Sequence, residues 1–159
     1  MRKLLSESIC EQMSQDDSIW LLTADLGFGV LDKPRALFPD RAVNLGASEQ
    51  LMLGAAVGLA TKGKIPLCYS ITPFVIFRPY EWIRLYLNHE RIPVKLLGIG
   101  RDNDYDQGFS HDASDDTAAL APFTNLVIYK PDTLADFRSC WQDFLYNDKP
   151  CYLNIRRTV

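Results

Sequence analysis

Residues 44–60 read NLGASEQLMLGAAVGLA. A short apolar approach, RAVNLG at 41–46, closes on glycine. A run rich in Leu, Met, Ala and Val then follows, with one acid, Glu49, at its head. The first piece reads as a strand and the second as a helix from Glu49 to about Thr61. One strand feeding one helix through a turn of two or three residues is the unit from which the rest of the chain is built.

Outward from that unit the alternation continues. Apolar Leu4, Leu5, Ile9 and Met13 fall at helical spacing in residues 2–14, and SIWLLTA (18–24) is a buried strand. KIPLCYS (64–70) is a third strand. A helix from about Ile76 to Asn88 carries Trp82, Ile83, Leu85 and Tyr86, and PVKLLGI (93–99) is a fourth strand. RDNDYDQGFSH (101–111) is too polar and turn-rich for regular structure. A helix over Ser114–Leu120, a strand NLVIYKP (125–131), a helix over Thr133–Asn147 and a strand PCYLNI (150–155) complete the chain. Strands that are continuous apolar runs and alternate with helices predict an α/β fold of three layers, α/β/α, on a mainly parallel six-stranded sheet. The expectation is a single domain over residues 1–159. Ligands of such sheets gather at the carboxyl ends of strands. Those ends are TADLGFG (23–29), NLGASEQ (44–50), SITPF (70–74) and GIGRDND (98–104), and Glu49 lies in one of them.

The chain has 159 residues, 47% apolar and 23% charged, with a net charge of −3. It is long enough to bury a core, and nothing in its charge pattern points to nucleic acid or an anionic membrane. Charges interrupt the first apolar stretch too early for a signal peptide, and no window is apolar for long enough to span a bilayer. Cys10, Cys68, Cys140 and Cys151 are widely spaced with no CxxC pairing, as expected of free thiols in a reducing cytoplasm.

On the residues alone Glu49 has two readings. It is either an ordinary acid of a helix first turn, or an acid placed at a strand end to exchange a proton with a bound heterocycle. Helix start and apolar burial pull its charge state in opposite directions. Phe74, Phe77 and Tyr80, three apart, read equally as a core-facing helical stripe. His111 reads as a loop histidine, Asp25 as a turn acid, Arg156 as an edge-strand arginine, and His89 as structural or solvated.

GASEQLMLGAAVGLATKGKIPLCYSITPFVIFRPYEWIR (46–84) resembles the pyrimidine-binding domain of transketolases and related thiamine diphosphate enzymes. Gly46, Glu49, Met52, Gly54, Ala56, Gly58 and Ala60 stand in register with that family's pattern. Gly63, Pro66, Arg78, Tyr80, Glu81, Ile83 and Arg84 follow it, and RIPVKLLG, GFSH and NLVIYKPDT extend the likeness from about Ser18 to the C-terminus. The resemblance implies that Glu49 hydrogen-bonds the ring nitrogen of the cofactor's aminopyrimidine and so promotes loss of the thiazolium C2 proton. It implies that Phe74, Phe77 and Tyr80 wall that ring and that Asp25 lies near the cofactor. It further implies that His111 faces the reacting carbons and that Arg156 binds a substrate phosphate.

The likeness also carries departures. Gln107 stands where the family has a substrate-facing acid. GIGRD ends a strand where many transketolases place a phosphate-binding histidine, and GFG replaces a serine after Asp25-Leu26. An unphosphorylated or nucleotide-linked sugar is the resulting expectation. There is no Gly-Asp-Gly start of a diphosphate-binding domain, and the sequence stops after NIRRTV. The expectation is therefore half of a split active site. A separate diphosphate-binding subunit would hold Mg²⁺ or Ca²⁺, the assembly would be α2β2, and the chain alone would self-associate, bind cofactor poorly and show no turnover. Two other enzymatic readings are a deoxyxylulose-phosphate-synthase-like subunit and a 2-oxoacid dehydrogenase β-like subunit. The non-enzymatic reading is a paralogue kept to hold a partner.

Overall fold

The structure, a computed structural model, describes residues 1–157; Thr158 and Val159 lie outside it. In chain order the helices are α1 (Arg2–Gln15), α2 (Asp32–Leu37), α3 (Glu49–Ala60), α4 (Thr72–Phe77), α5 (Tyr80–Trp82), α6 (Asp116–Leu120) and α7 (Leu134–Tyr146). The strands are β1 (Ile19–Thr23), β2 (Ala42–Asn44), β3 (Ile65–Ile71), β4 (Lys95–Ile99), β5 (Val127–Tyr129) and β6 (Cys151–Ile155). They form one six-stranded sheet in the order β2-β1-β3-β4-β6-β5. Every pairing is parallel. The expected α/β sheet is thus present, and it is parallel throughout.

Period-two alternation sorts the strand residues onto two cores. Leu21, Leu67, Tyr69, Leu97 and Leu153 face α1 and α7, where Leu5, Ile9, Met13, Phe137, Trp141 and Phe144 meet them. Leu22, Cys68, Leu96 and Tyr152 face the other way, toward Met52, Leu53, Ala56 and Val57 of α3 and Val75 and Ile76 of α4. Burying each large apolar side chain contributes about 1.5–3 kcal/mol, so both helical layers are held chiefly by these contacts. The four cysteines are free thiols, with Cys10, Cys68 and Cys151 buried. No helix among the described residues is long and apolar enough to cross a membrane.

Local chemistry explains where the helices begin and where they depart from expectation. Thr133 caps α7: its side chain accepts from the Asp136 amide at 3.1 Å while Asp136 accepts from the Thr133 amide at 2.9 Å. The helix expected from Ile76 begins at Thr72, because Pro73 occupies the first turn, where its missing N–H costs nothing. Pro79 then breaks that helix between α4 and α5, having no N–H to donate back one turn. Beyond α5 the chain winds as a π-helix over Ile83–His89. The short α2 has no counterpart in the sequence reading. Within the polar 101–111 loop, Phe109–His111 forms a single 3-10 turn.

The chain passes from β1 outward to β2 and then returns to the other side of β1 for β3. This reversal leaves a crevice beyond the carboxyl ends of β1 and β3. Asp25 follows β1, Glu49 follows β2 and Phe74 follows β3, so topology alone brings three of the expected site residues to one end of the sheet.

Candidate functional site

Glu49 opens α3, and the buried residues of that helix are Glu49, Met52, Leu53, Ala56 and Val57. Their spacing of three and four defines a single inward stripe, and Glu49 is its first member. It is 4% exposed. The acid therefore lies on the core face of the helix, at the end that opens toward the strand carboxyl termini.

Its partner is Arg78. Arg78 Nη1 donates to Glu49 Oε1 at 2.7 Å, and no other hydrogen bond to the carboxylate is present among the described residues. The guanidinium carbon also stands 3.6 Å from the centroid of the Phe74 ring, within cation–π range. Phe74 and Arg78 are four residues apart, so one helical turn brings them together. Gln50 Nε2 donates to the Arg78 carbonyl at 3.3 Å, tying the start of α3 to the end of α4.

Around this group lie two adjoining hollows. A recess of about 260 Å³ is lined by Ala47, Ser48, Glu49, Gln50 and Arg78. A cleft of about 340 Å³ is lined by residues that include Pro73, Phe74, Phe77, Arg78, Phe109 and Asp115. Phe109 at its mouth is 90% exposed and Phe77 is 37% exposed. His111 packs its ring edge-on to Phe74 with centroids 5.0 Å apart. Its Nδ1 lies 3.0 Å from Ser110 Oγ.

Glu49, Phe74, Phe77 and His111 thus come together, and the other expected residues lie elsewhere. Tyr80 does not line the cleft: its hydroxyl donates to the Ala119 carbonyl at 2.7 Å and its ring packs on Phe123. Asp25 is exposed at the end of β1 with φ +54°, and its side chain accepts from Asn44 Nδ2 at 3.3 Å. Gln107 is exposed in the 101–108 loop. Arg156 is ion-paired with Asp102 at 3.3 Å and Asp104 at 3.6 Å. His89 is exposed beside Glu90.

The sequence does not single out Arg78, Phe109 or Asp115 as site residues. Arg78 carries a signal, its four-residue offset from Phe74, but that signal is visible only once α4 starts at Thr72. Equally hidden is the buried network that fixes the loop flanking the cleft. Asp116 accepts from Tyr152 Oη at 2.7 Å, Asn154 Nδ2 at 2.9 Å and Lys130 Nζ at 3.0 Å. Burial alone would raise the Asp116 pKa, but the hydrogen bonds from Tyr152 and Lys130 outweigh it and hold the carboxyl below the ordinary aspartate range. Arg101 donates to Asn154 Oδ1 at 3.1 Å and to the Pro131 carbonyl at 3.0 Å, and Thr72 donates to the Gly100 carbonyl at 2.6 Å. The network sets the base of α4, and with it Phe74, against β4 and β6.

The donor set suits a flat nitrogen heterocycle. One carboxylate oxygen already takes an N–H, an aromatic face lies beside it, and a planar cation spans the two. Aminopyrimidine offers a π face and an edge nitrogen; that nitrogen is an acceptor, so it pairs with the carboxyl through a proton shared between them.

The chain is similar to several known proteins. The 6-deoxy-6-sulfo-D-fructose transketolase subunit SqwH of Clostridium sp. (strain MSTE9) is 28% identical over 159 residues, which span 99% of this chain and 49% of that protein. An apulose-4-phosphate transketolase subunit of Actinobacillus succinogenes is 30% identical over 119 residues, 74% of this chain and 38% of that one. A solved structure described as a split gene transketolase, inactive beta4 tetramer, superposes with a TM-score of 0.82 at 27% identity, covering 96% of this chain and 49% of that one. The chain thus spans about half the length of such relatives, or less. Residues 1–159 match the family described as transketolase, pyrimidine binding domain. With an acid heading the inner stripe of α3, aromatics after β3, and this match along its whole length, the chain belongs to the transketolase family as its pyrimidine-binding domain.

Proposed function

We propose that the chain is the pyrimidine-binding half of a split transketolase-like enzyme that moves a two-carbon ketol unit between sugars with thiamine diphosphate. The observation that carries this reading is Glu49: a carboxylate 4% exposed, heading an apolar stripe, with one hydrogen-bond partner and an aromatic face nearby. Thiamine diphosphate, when bound, supplies a thiazolium carbon nucleophile for the ketose carbonyl. Glu49 holds the proton shared with the aminopyrimidine nitrogen, and its burial keeps water from competing for that proton. Phe74 and Phe77 wall the ring, and His111, against Phe74, faces the substrate.

The diphosphate and its divalent cation, Mg²⁺ or Ca²⁺, fall to a separate subunit. Support comes from the relatives named as subunits and from the cleft's exposed rim, where Phe109 and Phe77 offer apolar surface to a partner. An α2β2 assembly in the cytoplasm completes this reading. Gln107, and the pairing of Arg156 with two aspartates, favour a substrate other than a simple sugar phosphate.

Reconstitution tests this. Mixed with a diphosphate-binding subunit, thiamine diphosphate and Mg²⁺, the chain should transfer ketol units from a ketose donor to an aldehyde. Glu49→Gln should cut turnover by about a hundredfold or more. Full turnover by the Gln variant would refute the assignment. A strong kinetic preference for pentose phosphates would refute the substrate reading alone.

A further inference from the structure

The Glu49 recess and the aromatic cleft share one lining residue, Arg78. Its guanidinium sits where the two hollows meet, bonded to the carboxylate on one side and stacked over Phe74 on the other. The side chain is 47% exposed, whereas that of Glu49 is 3% exposed. One partner of the pair is thus fixed in the core, and the other can turn outward into water without being desolvated.

We infer that Arg78 is a stand-in for the cofactor ring: it occupies the aminopyrimidine seat, between Glu49 and Phe74, and has to be displaced for the ring to enter. This deepens the cofactor-site reading and rests on it. Two planar groups cannot occupy the same face of Phe74 at 3.6 Å, so a ring stacked there excludes the guanidinium. The exchange leaves no buried group unsatisfied. Glu49 exchanges the Arg78 N–H for the ring nitrogen, which is an acceptor, so one proton taken up from solvent lies between the two, and Arg78 passes from a half-exposed ion pair to water. Such a swap keeps a buried carboxylate partnered before the cofactor arrives. It also merges recess and cleft into one continuous site and lowers the apparent affinity for the ring by competition.

Thiamine is the probe, because it carries the aminopyrimidine without the diphosphate that a partner would bind. Its affinity for the full chain is measured by isothermal titration calorimetry for wild type, Arg78→Gln, Arg78→Lys, Glu49→Gln and the Arg78→Gln/Glu49→Gln double variant, with thermal unfolding as the control for folding. Arg78→Gln should bind thiamine roughly three- to tenfold more tightly than wild type, the span expected for removing a half-exposed ion pair and cation–π contact. Arg78→Lys keeps charge but loses the planar face, and should fall between the two. The gain should vanish in the double variant. If Arg78→Gln and Arg78→Lys bind as wild type or more weakly while Glu49→Gln also weakens binding, Arg78 is a fixed part of the site. The stand-in is then overturned and the cofactor reading stands. If Glu49→Gln binds thiamine as well as wild type, both fall together; if no form of the chain binds it, the stand-in alone is overturned, because weak binding by the isolated chain is what the split site predicts.

Discussion

Among the described residues two carboxylates are buried in this molecule, and they are held in opposite ways. Asp116, fully buried, takes five donors: the Thr117 amide and hydroxyl, Lys130, Tyr152 and Asn154. Glu49 takes one, from an arginine half in water. Asp116 sits inside the second core, bridging α6 to β6, whereas Glu49 sits at the rim where the sheet opens. A saturated carboxylate has no capacity left for a ligand, so its function is to hold structure. A carboxylate with spare acceptor capacity at the edge of a cleft is a binding group. On the function proposed above, the difference separates the acid that fixes the site from the acid that would work in it.

If that separation is right, removing Asp116 gives the largest effect on folding. Asp116→Ala leaves Lys130, Tyr152 and Asn154 without their acceptor, and a loss of about 3–5 kcal/mol is expected in denaturant unfolding. A loss below about 1 kcal/mol would mean that the network is not structural.

Gly98→Ala attacks the same network from β4. A Cβ there would stand 2.8 Å from Thr72 Oγ1 and 2.8 Å from Tyr152 Cε2, in a layer with no room to give. Overpacking of this kind costs about 1–3 kcal/mol, read as a lowered melting temperature. Thiamine binding should weaken with it, since Thr72 begins the helix that carries Phe74.

Acid sharpens the contrast without mutation. The Asp116 pKa is lower folded than unfolded, so its contribution is fully present above about pH 4 and is lost as pH falls through the folded value. An acid titration of stability should therefore show a steeper decline below about pH 4 in wild type than in Asp116→Asn. Equal slopes would assign the decline to other groups.

The smallest effect belongs to Glu49. Glu49→Gln keeps the shape and surrenders only a half-exposed ion pair, so its unfolding free energy should lie within about 1 kcal/mol of wild type. A loss as large as that of Asp116→Ala would erase the distinction between the two acids.

The sequence shows one of these acids clearly and hides the other. Glu49 is visible because it is polar at the head of an apolar run, and the family pattern around it names a role. Asp116 stands in a polar stretch, SHDASDD, and its partners Tyr152 and Asn154 lie 36 and 38 residues away on another element. No local pattern announces a contact of that range. The strands are legible because parallel strands buried on both faces are unbroken apolar runs. Helix α2 escapes the sequence because six residues around Pro34 are too few to show a period. Arg78 escapes because a helix starting at Ile76 leaves Phe74 outside it. Pro73 instead opens the helix, and moving the start back by four residues places Phe74 one turn before Arg78. Tyr80 shares the spacing of Phe74 and Phe77, but the break at Pro79 turns it toward Ala119.

The most direct test of the central claim is a crystal structure of the chain in complex with a diphosphate-binding subunit and thiamine diphosphate. A carboxylate oxygen of Glu49 should lie within hydrogen-bond distance of an aminopyrimidine ring nitrogen, with the ring against Phe74 and Asp116 still saturated by its own donors. A cofactor bound with its pyrimidine away from residue 49, and Glu49 paired only with Arg78, would contradict it.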